Sequence, residues 1–566
     1  MSSNKTVKIV FLCICVVLAI IFGLYASSYI FLLLSKIPLR SQTVQLTSFI
    51  QWYQDYHNHP KVGPNLPKAA LFGFGVPILG LLFLAFKIFK DDKSLYGDAR
   101  FATMPELKKV GFLKPTETAV IVGRLNNQYL YFSGQQFPLL AAPTRSGKGV
   151  GIVIPNLLSY QGSMVVLDIK QENYELTSGF RKKHGQEIYV FNPFAEDRRS
   201  HRWNPLTYIS DDPDFRVSDL QSIANMLYPV GDDSKDRFWM NQAQNVFLAI
   251  CLYMLDARAS QKASGLPEEF RTPVTLGELY RQSTGDGSKE LKEHLQDLAS
   301  LPFLSPQCKT AFAGVLSQAE ETFSNIIATF KEPLLPWLNP ITDAATSGDD
   351  FLLTDVRKKK MTIYIAIQPN KLAESRLIIN LFFSQLINQN TRELPQNNPD
   401  LKYQCLLLMD EFTSIGRVDI IAKAVSYMAG YNIRLLPIIQ SLAQLDATYG
   451  KETSRTLVTN HALQILYTPR EQQDANDYSE MLGYTSIKKS SVSRGREVSR
   501  TENEERRALM LPQELKAMSA DKEIFLFEGL ERPVMCDKIR YYKDPAFTQR
   551  LLPKASVPIL KIKTEE

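Results

Sequence analysis

Two uncharged apolar runs dominate the start of the chain. Residues 9–34 contain no charged side chain. At 1.5 Å per helical residue this run is long enough to cross a hydrocarbon core of roughly 30 Å. Residues 69–86 form a second uncharged run, extended by Lys87, Ile88 and Phe89. Its Pro77 and glycines are tolerated better in lipid than in soluble helices. The first run is too long for a secretory leader and lacks a clear small-residue cleavage site. From about Leu95 the pattern changes. Short apolar runs with β-branched residues alternate with helical stretches, which predicts a parallel sheet covered by helices. The predicted strands are residues 137–142, 163–168, 187–191, 361–367, 404–409, 434–440, 464–467 and 524–528. Between about 206 and 337 no good strand occurs. Helical periodicity replaces it at 215–227, 238–255, 276–280, 289–298 and 307–329.

The organisation that follows is an α/β fold with an insert. A membrane anchor, 1–94, holds two spans at about 9–34 and 69–89 around a loop at about 35–68. A nucleotide-binding domain occupies 95–205 and 338–550, interrupted by an all-α domain at 206–337. Polar, charge-rich residues 486–507 read as an exposed hairpin or loop, and 551–566 as a tail.

Composition adds limits. The chain has 566 residues, which suggests about three to four domain-sized units. Hydrophobic residues are 45% and charged residues 22%, which excludes both a mainly disordered chain and a polytopic transporter. With 65 basic and 59 acidic residues the net charge is +6, mild for this length and permissive of anionic partners. The six cysteines form no CxxC pair and no zinc spacing, so a disulfide scaffold is excluded.

The main chemical signal is Phe137-Pro-Leu-Leu-Ala-Ala142-Pro143-Thr144-Arg145-Ser146-Gly147-Lys148-Gly149-Val150, read as strand, loop, helix. Such a loop turns backbone N–H groups toward a phosphate, and the helix N-terminus adds its dipole. Lys148 would reach the β and γ phosphates, with Gly147 keeping the backbone clear. A Gly-Lys pair is common by chance, and Gly450-Lys451 is one with no strand before it; the context carries the reading. Ala142 replaces the first glycine of the usual loop. Gly149 replaces the Ser or Thr that normally binds Mg²⁺, which leaves water as a substitute ligand.

Gln404-Cys-Leu-Leu-Leu-Met409-Asp410-Glu411 delivers two carboxylates at a strand's C-terminal end, where ligands of open α/β sheets bind. Asp410 would hold Mg²⁺ through water, and Glu411 would orient and deprotonate an attacking water. Gln440, at the tip of the 434–440 strand, would sense the γ-phosphate or hold the water. Asp168, in Val165-Val-Leu-Asp168-Ile-Lys170, would approach the metal or form an ordinary strand-end ion pair with Lys170.

Together Ala142-Pro-Thr-Arg-Ser-Gly-Lys-Gly-Val, Val166-Leu-Asp-Ile-Lys, Leu408-Met-Asp-Glu-Phe and Gln440-Ser-Leu-Ala-Gln resemble the TraG/TraD-like coupling proteins of type IV secretion systems. Leu95-Tyr-Gly-Asp-Ala-Arg-Phe-Ala, Phe191-Asn-Pro-Phe, Trp203-Asn-Pro-Leu, Arg237-Phe-Trp-Met, Ser347-Gly-Asp-Asp-Phe and Leu511-Pro-Gln-Glu-Leu extend the likeness over nearly the whole chain. The resemblance implies a RecA-like P-loop ATPase using ATP and Mg²⁺, anchored in the bacterial inner membrane and acting as a hexameric ring. It implies partners: relaxase-bound single-stranded DNA or effector proteins, the channel subunits and ATPases of the secretion system, and membrane lipid. It also implies that the helical insert recognises substrate. Some members place an arginine after the acidic pair to act across the subunit interface. Tyr427-Met-Ala-Gly430 offers none, which leaves Arg417 or Arg434.

Orientation follows from this reading more than from charge. Lys5 and Lys8 precede the first span and Lys87, Lys90 and Lys93 follow the second, but the loop carries Lys36, Arg40, Lys61 and Lys68. Both termini and the ATPase are expected in the cytoplasm. Two other functions compete: a recruitment receptor whose nucleotide site is an assembly switch, motivated by Gly149, and an FtsK-like chromosome translocase, which would show more spans and a long linker. Arg357–Lys360 and Lys488–Arg500 are the basic runs available to a DNA path.

Overall fold

The computed structural model describes residues 2–39, 43–89, 95–230, 234–285, 287–494 and 498–562. The chain divides into two compact units, Met1–Leu95 and Tyr96–Glu566. In the first, α1 (Ser2–Leu34), α2 (Ser48–Tyr56) and α3 (Asn65–Phe89) form a helical hairpin with a short helix in its loop. That loop helix has no counterpart in the sequence reading. Stretches of α1 (Val10–Leu34) and α3 (Asn65–Lys87) are long and apolar enough to cross a membrane. Small residues let the two helices meet: a Cβ at Gly23 would overlap Phe74, and one at Gly73 would overlap the buried Ser27. Outward-facing Phe22, Leu79, Phe83 and Phe86 stay exposed, as a lipid-facing surface requires. Lys90 and Lys93 lie outside the described residues, as do the side chains of Lys5 and Lys8.

The second unit is built on one large sheet. Its strands are β1 (Val120–Leu125), β2 (Gln128–Phe132), β3 (Pro138–Ala141), β4 (Ser163–Asp168), β5 (Glu187–Phe191), β6 (Met361–Ala366), β7 (Cys405–Met409), β8 (Ile433–Ile439) and β9 (Leu463–Leu466), followed by a separate hairpin β10 (Tyr484–Arg494) and β11 (Val498–Ala508), then β12 (Lys522–Phe527) and β13 (Val534–Asp537). The order is β2-β1-β13-β12-β9-β3-β8-β7-β4-β6-β5. From β9 to β5 all pairs are parallel; β12, β13, β1 and β2 extend the sheet antiparallel. All eight expected strands are present, but the sheet is mixed rather than purely parallel. β1, β2 and β13 were not foreseen. The β1–β2 turn uses Asn126 and Asn127 at φ 48° and 65°, the left-handed pair of a tight hairpin.

Why the central strands read as unbroken apolar runs is visible in the packing. Leu139, Val165, Leu407 and Leu435 face one core, while Leu140, Val166, Leu408 and Leu436 face another. Alternation exists, but both faces are covered, so both positions are apolar. The first core also holds the helical segment between β5 and β6, where no strand occurs among the described residues. Expected helix 307–329 is two helices, Pro306–Leu316 and Glu320–Lys331, because the backbone turns extended at Ala319 (φ −59°, ψ 153°). Residues 551–562 are no loose tail: the Tyr174 hydroxyl donates to the Ala555 carbonyl, Lys554 pairs with Glu175 at 2.8 Å, and Leu560 is buried.

Candidate functional site

Four neighbouring parallel strands end together. β3 leads into the loop Ala142–Val150, β8 ends at Gln440, β7 at Asp410 and Glu411, and β4 at Asp168. The loop bends through Arg145 at φ 60° and Gly147 at φ 88°, and Gly147 is the position where glycine relieves the bend. It then enters a single π turn, Gly149–Val153, and one α turn, Ile154–Leu157. Two contacts hold that helix down. Asn156 exchanges hydrogen bonds with the Ile121 N–H (2.7 Å) and carbonyl (2.8 Å) of β1. Gly151 passes so close to Tyr467 that a Cβ would lie 2.6 Å from its hydroxyl.

The predicted side chains converge. The Lys148 ammonium lies 2.5 Å from Glu411 Oε1 and 3.2 Å from Asp410 Oδ1. Gln440 Nε2 donates to Glu411 Oε2 at 2.8 Å, and the Thr144 hydroxyl donates to Gln440 Oε1 at 3.1 Å. Glu411 sits in the left-handed region at φ 60°, a strained position for a non-glycine residue that turns it off the strand axis. Thr144, Lys148, Asp410 and Glu411 line a cleft of about 590 Å³ together with Asp168, Lys170 and Tyr541.

The two carboxylates of β7 titrate in opposite directions. Burial pushes Asp410 up, with Lys148 opposing and Glu411 adding to the rise. Burial also pushes Glu411 up, but hydrogen bonds from Lys148 and Gln440 and the charge of Lys148 outweigh it and leave Glu411 below its ordinary value. A carboxylate kept ionised within reach of the cleft is suited to accept a proton. Asp168 is raised to about 7 by burial, against hydrogen bonds from the Tyr174 and Asn173 N–H groups. A divalent cation fits this donor set. Among the described residues Ser146 Oγ is buried without a hydrogen-bond partner, and Asp410 Oδ1 faces only the Lys148 ammonium at 3.2 Å. Mg²⁺ needs only one or two carboxylates besides phosphate and water, so Gly149 does not exclude it.

Two sequence expectations fail. Arg434 is fully buried and spends its guanidinium on the carbonyls of Gln136 (2.8 Å), Thr118 (2.9 Å) and Phe132 (3.1 Å), so it cannot reach another subunit. Arg357 is buried too, bonded to Asn390 and the carbonyls of Glu393 and Tyr431, and leaves the basic DNA track. Arg417 is half-exposed, pairs with Asp419 at 2.5 Å and donates to the Tyr449 carbonyl. On the hairpin, Lys488 stands opposite Glu504 and Lys489 pairs with Glu505 at 3.2 Å. Arg496 lies outside the described residues, as do the side chains of Arg494 and Arg500. Sequence reasoning missed Arg470, which donates to the Thr144 carbonyl at 2.8 Å, and Lys538, which donates to the Ser146 carbonyl at 3.2 Å. Neither stands in a motif; both are brought to the loop by strands that join the sheet from the C-terminal part of the chain.

A phosphate loop on β3, an acidic pair two strands away and an amide on the strand between them define a P-loop protein of RecA-like fold. Residues 92–562 match the family model described as type IV secretory system conjugative DNA transfer, and the chain belongs to that family. It is 29% identical over 462 residues to protein VirD4 of Rhizobium radiobacter, covering 79% of this chain and 64% of that protein. It is 27% identical over 574 residues to conjugal transfer protein TraG of Escherichia coli, covering 90% and 86%. The chain thus spans just under two thirds of the VirD4 length. In fold it resembles the bacterial conjugative coupling protein TrwBdeltaN70 in its unbound form, with a TM-score of 0.55, 16% identity and coverage of 81% of this chain and 99% of that one. TrwB in complex with the ATP analogue ADPNP gives the same TM-score of 0.55 at 16% identity, over 83% of this chain and 100% of the other.

Proposed function

We propose that this protein is a membrane-anchored coupling ATPase that recruits relaxase-bound single-stranded DNA, protein substrates or both and passes them to a type IV secretion channel. The observation that carries the reading is the Lys148–Glu411–Gln440–Thr144 chain of contacts at the strand tips. In this reading the loop N–H groups hold the phosphates, and Lys148 leaves its acidic partners to neutralise the β and γ oxygens of ATP. Glu411, ionised and aimed by Gln440, orients a water and takes its proton as the water oxygen bonds to the γ-phosphorus and the bond to ADP breaks. Asp410 would hold Mg²⁺, with Asp168 behind it; the ion supplies charge neutralisation when bound. Relatives named as conjugal transfer and VirD4 proteins support the DNA-transfer assignment. The two apolar helices support an inner-membrane anchor with both termini and the ATPase in the cytoplasm. The helical segment at 206–337 is the surface for substrate recognition, and a hexamer is the working assembly.

A second reading keeps the nucleotide site as an assembly switch with little turnover. Gly149 and the burial of Arg434 favour it, since each removes a group that fast hydrolysis uses elsewhere. Full-length protein in detergent micelles, assayed for phosphate release with and without single-stranded DNA, separates the two. The coupling ATPase predicts DNA-stimulated turnover that Lys148→Ala abolishes. Tight nucleotide binding with no turnover in either condition would leave the switch, and equal turnover in Lys148→Ala would sink both.

A further inference from the structure

The strands that extend the sheet antiparallel bury two titratable side chains beside the phosphate loop. Glu523 on β12 is fully buried, and Lys538, the residue after β13, is nearly so. Above the lysine lies Tyr467, whose ring centroid is 3.6 Å from the ammonium. The Cys536 thiol donates to Glu523 Oε1 at 3.7 Å, while Glu523 Oε2 and the Tyr467 hydroxyl have no hydrogen-bond partner among the described residues. Gly123 of β1, at φ 143°, seals the cluster: a Cβ there would overlap Glu523 and lie 2.6 Å from Cys536 Sγ. Burying a carboxyl and an ammonium costs stability, and apolar side chains of the same size would serve the fold as well or better. The cluster does have one partner outside itself. Lys538 donates to the Ser146 carbonyl at 3.2 Å, inside the loop.

That contact has a geometric consequence. In a trans peptide the carbonyl and the following N–H point in opposite directions. A cation on the Ser146 carbonyl therefore turns the Gly147 N–H the other way. Arg470 does the same one peptide earlier, since its bond to the Thr144 carbonyl turns the Arg145 N–H away from the arginine. Burial brings Lys538 down to about 8, with the charges of Glu523 and Asp521 opposing the fall, so the ammonium keeps its proton at neutral pH.

We propose that Lys538, through its bond to the Ser146 carbonyl, is a positioning residue for nucleotide binding, fixing the Ser146–Gly147 peptide with its N–H aimed at the phosphates and placing a second positive charge behind the loop. The inference rests on the nucleotide reading of the site. The test is equilibrium binding of a fluorescent ATP analogue, with ATP turnover, on the full-length chain in detergent. Lys538→Met should raise Kd about tenfold while kcat stays within about threefold, because the loop and not the chemistry is disturbed. Lys538→Arg, which keeps a charged donor, should recover most of the affinity. Should the single variant fail to fold, the Lys538→Met/Glu523→Leu double variant decides, since it removes both titratable groups and leaves an apolar pair. A folded double or single variant with wild-type Kd overturns the proposal. Lys148→Ala separates the levels. If wild type and Lys148→Ala both fail to bind, the nucleotide reading falls and takes this one with it. If only Lys148→Ala loses binding while the Lys538 variants bind normally, this inference alone falls.

Discussion

Replacing Arg434 by methionine tests the clearest departure from the sequence reading. The side chain is fully buried on β8, and it donates to three carbonyls at 2.8, 2.9 and 3.1 Å. Its guanidinium also stacks 4.8 Å from the Phe132 ring centroid. The carbonyls belong to Gln136, Thr118 and Phe132, so one side chain ties β8 to the segment before β1, the end of β2 and the lead into β3. A hydrogen bond to a charged group is worth about 1.5–3 kcal/mol, and a carbonyl stranded in the interior costs about 1–3 kcal/mol. Methionine fills most of the volume and returns apolar contact, so the net loss should be about 4 kcal/mol. In a unit of this size that corresponds to a drop in melting temperature on the order of 4 °C. Lysine keeps the charge but serves one carbonyl at a time, so Arg434→Lys should fall between. The assay is thermal denaturation of the full-length protein in detergent, followed by tryptophan fluorescence, with ATP turnover measured per folded chain. An Arg434→Met protein that melts within about 1 °C of wild type would refute the reasoning. So would one that melts normally yet loses turnover only when assembled, since that is the behaviour of an arginine acting across subunits.

Glu411→Gln should cut kcat by about 10²–10⁴ and leave nucleotide affinity within about threefold, because the amide keeps the shape and loses the basic oxygen; unchanged phosphate release would move the base elsewhere. The Glu523 carboxyl is raised by burial to about 8 from an ordinary 4.5, so the folded chain holds a proton that the unfolded chain has lost. Stability therefore falls as pH climbs from 4.5 to 8 and levels off above, and Glu523→Gln should remove a slope of at most about 1.4 kcal/mol per pH unit. Melting curves of variant and wild type that stay parallel between these limits would contradict the burial argument.

Much of this protein was legible along the chain, for reasons that are local. A strand covered on both faces is apolar at most positions, so the eight runs from 137 to 528 announced themselves without tertiary information. The phosphate loop and the Asp410-Glu411 pair were legible because a strand tip, a glycine bend and a helix start are all sequence-local, and so were the two long apolar helices. What required the folded chain was every decision made between distant segments. β1, β2 and β13 carry short, mixed patterns, and their pairing is set by a glycine bulge and an Asn-Asn turn more than by apolar content. Arg434 and Arg357 look like any basic residue until burial shows each one saturated by carbonyls. Arg470 and Lys538 reach the loop from 326 and 392 residues away in sequence, so no spacing rule could have joined them to it. Side-chain chemistry and local geometry are properties of a stretch of sequence; burial and the choice of partner belong to the packing, and in this chain they separate the arginines and lysines that hold the fold from those free to act on a ligand.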